Sequence, residues 1–103
     1  MLFIESPAGV GFSTNSDKEY VYDDISTSYD SLYAVINFFE KFPEYAKNPF
    51  FIAGESYAGK YIPDLTVLID TYNKIEGVKK INIEGIFIGN GVMNLQTIED
   101  NTY

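Results

Sequence analysis

Residues 54–59 read Gly-Glu-Ser-Tyr-Ala-Gly, a run that sets a serine between small residues. Phe50, Phe51, Ile52 and Ala53 precede it as an unbroken apolar run, and an amphipathic stretch follows. This order suits a nucleophilic hydroxyl mounted on a sharp turn between a strand and a helix. Gly54, two places before Ser56, and Ala58, two places after it, leave room where strand and helix approach closely, and Gly59 adds more. The helix would aim its N-terminal amides at the serine oxygen, Tyr57 N–H first among them, where they can stabilise an oxyanion. The same spacing also fits a glycine-rich turn in an α/β domain with no chemistry attached. Serine normally needs a base, and the chain contains no histidine.

Glu55 is the unusual neighbour. A carboxylate beside a nucleophilic serine repels a developing oxyanion unless it is protonated or tied into hydrogen bonds. Burial would keep it neutral to higher pH, and a neutral acid can donate a hydrogen bond to a bound carboxylate. A solvated, chemically idle Glu55 is the alternative.

The elements that would position these residues follow from periodicity and punctuation. Residues 2–5 predict a short buried strand, ended by Pro7, Gly9 and Gly11. Residues 13–23 predict a polar surface loop. Asp24 reads as the N-cap of a helix with Ile25, Tyr29, Leu32, Tyr33, Val35, Ile36 and Phe39 on one face, stopped by Pro43. Residues 50–53 predict a second buried strand. Residues 57–74 predict a second helix, with Leu65, Leu68, Ile69 and Tyr72 at helical spacing and Pro63 in its early part. Residues 81–88 predict a third strand that runs into the turn Gly89-Asn90-Gly91. The order is β-α-β-α-β, with strands too apolar to leave a face in water. It implies the α/β class, a parallel sheet covered by helices on both faces. Three such strands leave two unpaired edges, an incomplete design.

Composition narrows the partners. With 103 residues the chain is one domain at most. Its 7 Lys+Arg against 15 Asp+Glu, a net charge of −8, argue against a nucleic-acid partner and against a basic membrane-surface helix. No apolar run approaches the roughly 20 residues that span a bilayer. The N-terminal residues lack the basic and long apolar regions of a signal peptide. With no cysteine, thiolate metal sites, redox motifs and disulfides within the chain are excluded.

At this point the residues resemble a known family. GESYAGKYIP is similar to the nucleophile motif of the serine carboxypeptidases, a branch of the α/β-hydrolases. LFIESPAGVGFS, DDISTSYDSLYAVINFFEKFPEY and INIEGIFIGNG resemble further blocks of the same family, in the family's order, and together they cover nearly the whole chain. The resemblance implies that Ser56 is the nucleophile and that Tyr57 gives an oxyanion amide. It also implies that Glu55 helps to bind the C-terminal carboxylate of a peptide substrate as a hydrogen-bond donor. Asn90 and the segment from Pro7 to Gly11 are weaker candidates. No metal or organic cofactor is implied, and the compartment would be a vacuole, a lysosome or the secretory route. The departures are equally specific. The family's upstream glycine-rich oxyanion segment and the downstream Asp and His of its triad have no counterpart here. Residues 1–103 are therefore expected to be the central piece of a single serine carboxypeptidase domain, inactive alone. An acyltransferase on the same fold and a non-catalytic homologue or gene relic are the alternatives.

Overall fold

The computed structural model describes residues 1–16 and 21–92, and its first helix, α1 (Asp24–Lys41), begins at a reciprocal cap. Ser26 N–H donates to Asp23 Oδ1 at 2.7 Å, and Asp23 N–H donates to Ser26 Oγ at 3.1 Å. The cap is thus Asp23, one residue before the expected Asp24. There the Asp23 carboxylate and the Ser26 hydroxyl answer each other across the first turn, a reciprocal capping box. Hydrogen bonding from Ser26, first its backbone N–H and then its side chain, holds the Asp23 carboxyl below its ordinary range. The helix closes with Phe42 N–H donating to Phe38 O, and Pro43 opens a short 3-10 turn, Pro43–Tyr45. The loop expected over residues 13–23 lies partly outside the described residues.

Strand β1 (Phe50–Glu55) and strand β2 (Ile83–Gly89) pair in parallel, from Phe50 opposite Ile83 to Glu55 opposite Gly89, with an irregularity after Phe50. Helix α2 (Ala58–Asn73) crosses between them and carries Pro63 inside it. The α/β class and the parallel pairing agree with the sequence reading. The expected strand over residues 2–5 does not form. A strand exists only through hydrogen bonds to a neighbour, these residues find none among those described, and Phe3 stands exposed.

The core explains how the helices are laid. Leu32 and Val35 of α1 meet Leu65 and Ile69 of α2 together with Ile81. Phe50, Ile52 and Ile83 of the sheet pack against that cluster, as do Ile36, Phe39, Leu68 and Tyr72. Phe39 closes edge-on against Phe50 at 5.4 Å between ring centroids, tying the end of α1 to the start of β1. Both helices therefore lie on one side of the sheet, not one on each face. Ile25, Tyr29 and Tyr33, expected on the apolar face of α1, are exposed, because α2 covers only the stripe through Leu32 and Val35. On the sheet's other side Phe51 and Phe87 face solvent, their rings 5.8 Å apart. No described helix is long and apolar enough to cross a membrane.

The third expected strand starts two residues late for a specific reason. Asn73, the last residue of α2, uses its side chain as a substitute strand. Its Nδ2 donates to Ile81 O and its Oδ1 accepts from Ile81 N–H, both at 2.8 Å. Ile81 is buried, so its N–H depends on this amide, while its carbonyl also accepts from Ile83 N–H at 2.9 Å. Asn73→Ala is expected to destabilise the protein by about 1–3 kcal/mol, the cost of stranding the buried Ile81 N–H. A denaturant titration reads this directly. An unchanged midpoint would mean that water replaces the amide at no cost.

Candidate active site

Ser56 stands alone between the end of β1 and the start of α2, with Tyr57 as the N-cap residue of the helix. Its φ is +58°, in the left-handed region that L-residues other than glycine, asparagine and aspartate rarely occupy. Such a conformation costs on the order of 1 kcal/mol and persists only where its surroundings over-determine it. Here they do. Ser56 N–H donates to Gly89 O at 3.0 Å, which fastens the turn to the end of β2. Ser56 C=O accepts from Val92 N–H at 2.9 Å and from Gly59 N–H at 3.0 Å. The hydroxyl-bearing residue is thus pinned from the sheet, from the following loop and from the helix. A chain that turns this sharply presents its side chain outward, and Ser56 is exposed.

The small residues around it are demanded by contact. A Cβ on Gly54 would come within 2.6 Å of Ala58 Cβ and 3.0 Å of Ile62 Cδ1. A Cβ on Gly59 would come within 2.8 Å of Gly91 Cα and of Val92 N. Gly54, Ala58 and Gly59 are thus where strand, helix and the turn after β2 touch.

Glu55 ends β1 on the face opposite the helices and is exposed, rather than buried as a neutral donor requires. That face of the sheet is open at the end of β1, and the side chain lies over Gly89 across the strand pair. Asn90 follows with a φ of +46°, a second left-handed residue beside the first. The segment from Pro7 to Gly11 is not brought to Ser56 by any described hydrogen bond. Its bonds are local, such as Gly9 N–H to Ser13 O at 2.8 Å and Val10 N–H to Pro7 O at 3.1 Å. Ser6 and Ser31 hydroxyls, 3.3 Å apart, join it to α1 instead.

The sequence reading missed a cluster on the helix side of the turn. Tyr57 OH donates to Asp24 Oδ1 at 3.2 Å, and Lys60 Nζ lies 3.8 Å from Asp24 Oδ2. The Tyr57 and Tyr61 rings meet edge-on, 5.0 Å apart. The negative Asp24 carboxylate, more than partial burial, raises the Tyr57 hydroxyl above its ordinary range, so that hydroxyl stays a donor. Tyr61 is raised as well, first by burial. No sequence signal links positions so far apart, and in the sequence Asp24 reads as a helix cap.

Comparison with known proteins gives a concordant result. A family model described as serine carboxypeptidase matches residues 1–103. Serine carboxypeptidase-like 34 of Arabidopsis thaliana is 46% identical over 94% of this chain. Probable serine carboxypeptidase CPVL of Homo sapiens is 43% identical over 95% of it. Among solved structures, the prohormone-processing carboxypeptidase Kex1Δp of Saccharomyces cerevisiae superposes with a TM-score of 0.76 and 31% identity, covering 87% of this chain and 21% of that one. The chain spans about a fifth of the length of the curated relatives it matches.

Proposed function

The chain belongs to the serine carboxypeptidase family, and from that premise we propose that Ser56 is the nucleophile of a serine-type carboxypeptidase. We read residues 1–103 as the central part of one α/β-hydrolase domain. Ser56 Oγ attacks the carbonyl of the last peptide bond of a substrate, and its proton passes to a histidine base. The oxyanion rests on Tyr57 N–H and on a second amide. The departing amino acid takes up the proton, and water then hydrolyses the acyl-serine to release the shortened peptide. The histidine, its aspartate partner and the second amide come from outside these residues, which hold no histidine. Glu55, in its protonated form, donates a hydrogen bond to the substrate's free carboxylate. That role requires a cover over the open face on which it stands. The compartment on this reading is a vacuole, a lysosome or the secretory route.

The observation that carries the proposal is the left-handed backbone of Ser56 at the strand–helix junction. A serine in an inert βα turn has no reason to hold a conformation that glycine would take more cheaply. The test uses an N-blocked dipeptide with a free C-terminus, its C-terminal amide, and a serine-directed phosphonate. The full-length gene product is expected to cleave the free acid, to spare the amide and to be labelled at Ser56. The 103-residue chain alone is expected to show no significant turnover. Equal cleavage of acid and amide, or labelling elsewhere, would overturn the assignment. Enzyme-like turnover by the short chain would overturn the external base.

A further inference from the structure

We propose that Asp24 is a positioning residue for the oxyanion amide, gripping the Tyr57 hydroxyl from the first turn of α1. The proposal rests on the reading of Ser56 as nucleophile and deepens it. The peptide unit between Ser56 and Tyr57 contains the N–H that must face the developing oxyanion. Its carbonyl end is fixed twice, by Val92 N–H and Gly59 N–H. The unit is planar, so the direction of its N–H is set by these bonds together with the position of Tyr57 Cα, and Tyr57, the N-cap residue of α2, makes no side-chain capping bond. Tyr57 O accepts from Lys60 N–H at 2.9 Å, and its side chain is held by the ring, edge-on to Tyr61, and by the hydroxyl, on Asp24 Oδ1 at 3.2 Å. An oxyanion donor gains its effect from being aimed before the charge develops, and a restraint on Tyr57 supplies that aim.

Two blander roles for Asp24 fit less well. Capping of α1 is already done by Asp23 and Ser26. The contact with Lys60 is 3.8 Å long between partly exposed side chains, a surface pair of little strength. Nor are the helices joined by this bond, because Leu32, Val35, Leu65 and Ile69 already pack α1 on α2. The charge of Asp24 also suits the first turn of α1, but its carboxylate's close hydrogen bond is to the hydroxyl next to the elbow.

The test compares Tyr57→Phe, Asp24→Ala, the double variant and Ser56→Ala in the full-length product. Turnover of the blocked dipeptide is expressed per site titrated with the phosphonate. Tyr57→Phe keeps the ring, its contact with Tyr61 and the backbone N–H, so it removes the grip alone. Its kcat is expected to fall roughly 3- to 10-fold with KM unchanged, the factor that one ordinary hydrogen bond represents. Binding of a peptide boronic acid, which mimics the tetrahedral intermediate, should weaken by a similar factor. Asp24→Ala should match it, and the double variant should be no slower than the slower single one. Wild-type kcat per titrated site in Tyr57→Phe, or losses that multiply in the double variant, would overturn the proposal. A purely structural Asp24 would lower the titrated fraction and leave kcat per site untouched. If Asp24→Ala fails to fold, Tyr57→Phe decides alone. Ser56→Ala separates the two levels. Turnover retained there removes the nucleophile reading and this proposal with it. Turnover lost there, beside an unaffected Tyr57→Phe, refutes only the role of Asp24.

Discussion

Ser56→Gly in the full-length product is expected to abolish turnover while making the fold more stable. The two effects arise from the same φ of +58°. Glycine occupies the left-handed region without the Cβ clash, so the exchange should relieve on the order of 1 kcal/mol of strain. The bonds that pin the turn use only the backbone of residue 56, Gly89 O on one side and Val92 and Gly59 amides on the other, and they survive the exchange. If Ser56 is the nucleophile as proposed, its loss should lower kcat by at least about a thousandfold, since in that mechanism the serine carries the acyl group. Ser56→Ala should lose the same activity with no gain in stability, because alanine meets the same clash. Denaturation midpoints and single-turnover rates for the two variants decide the matter. A glycine variant less stable than the alanine one would show that the conformation is not strained. Stability gained by deleting a functional group is the signature of an active residue held against its preference.

Much of this arrangement could be read from residues close in sequence. The two helices, the parallel strands and the Ser56 turn depend on local signals: apolar spacing, Gly54 and Ala58 flanking a serine, and the blocks shared with a known family. What escaped depends on partners far along the chain. Residues 2–5 have a strand's composition, but composition cannot supply the neighbour that makes a strand. The apolar face of α1 looked broader than it is, because spacing cannot say how wide a partner α2 offers. Asn73 gave no sign that its amide would occupy Ile81, nor Asp24 that it would meet Tyr57. The residues leave Glu55 open between a buried donor and a solvated side chain, and its exposure follows from the side of β1 on which it falls. The family resemblance supplied roles for Ser56, Glu55 and Tyr57, whereas the geometry adds a physical reason mainly for the first.

Gly59→Ala offers the most severe test of how the elbow is built. The added methyl would stand 2.8 Å from Gly91 Cα, 2.8 Å from Val92 N and 2.9 Å from Gly91 C. These are backbone atoms, so no rotamer change can clear the space. Either α2 withdraws from the sheet or the loop after β2 moves out. The second course stretches the bond from Val92 N–H to Ser56 O, one of the anchors of the strained residue. Overpacking of this kind costs about 1–3 kcal/mol, and here the displacement falls on the peptide that faces the oxyanion in the proposed mechanism. A misplacement near 1 Å can cost about a hundredfold in rate. Gly77→Ala is the matched control. Gly77 has a φ of +83° and nothing within 4 Å of the added Cβ. It should lose about 1 kcal/mol through backbone strain alone, with kcat per titrated site unchanged. Comparable stability losses with unequal activity losses are the expected result. Equal activity in the two variants would mean that the contact between Gly59 and Gly91 serves packing and has no hold on Ser56.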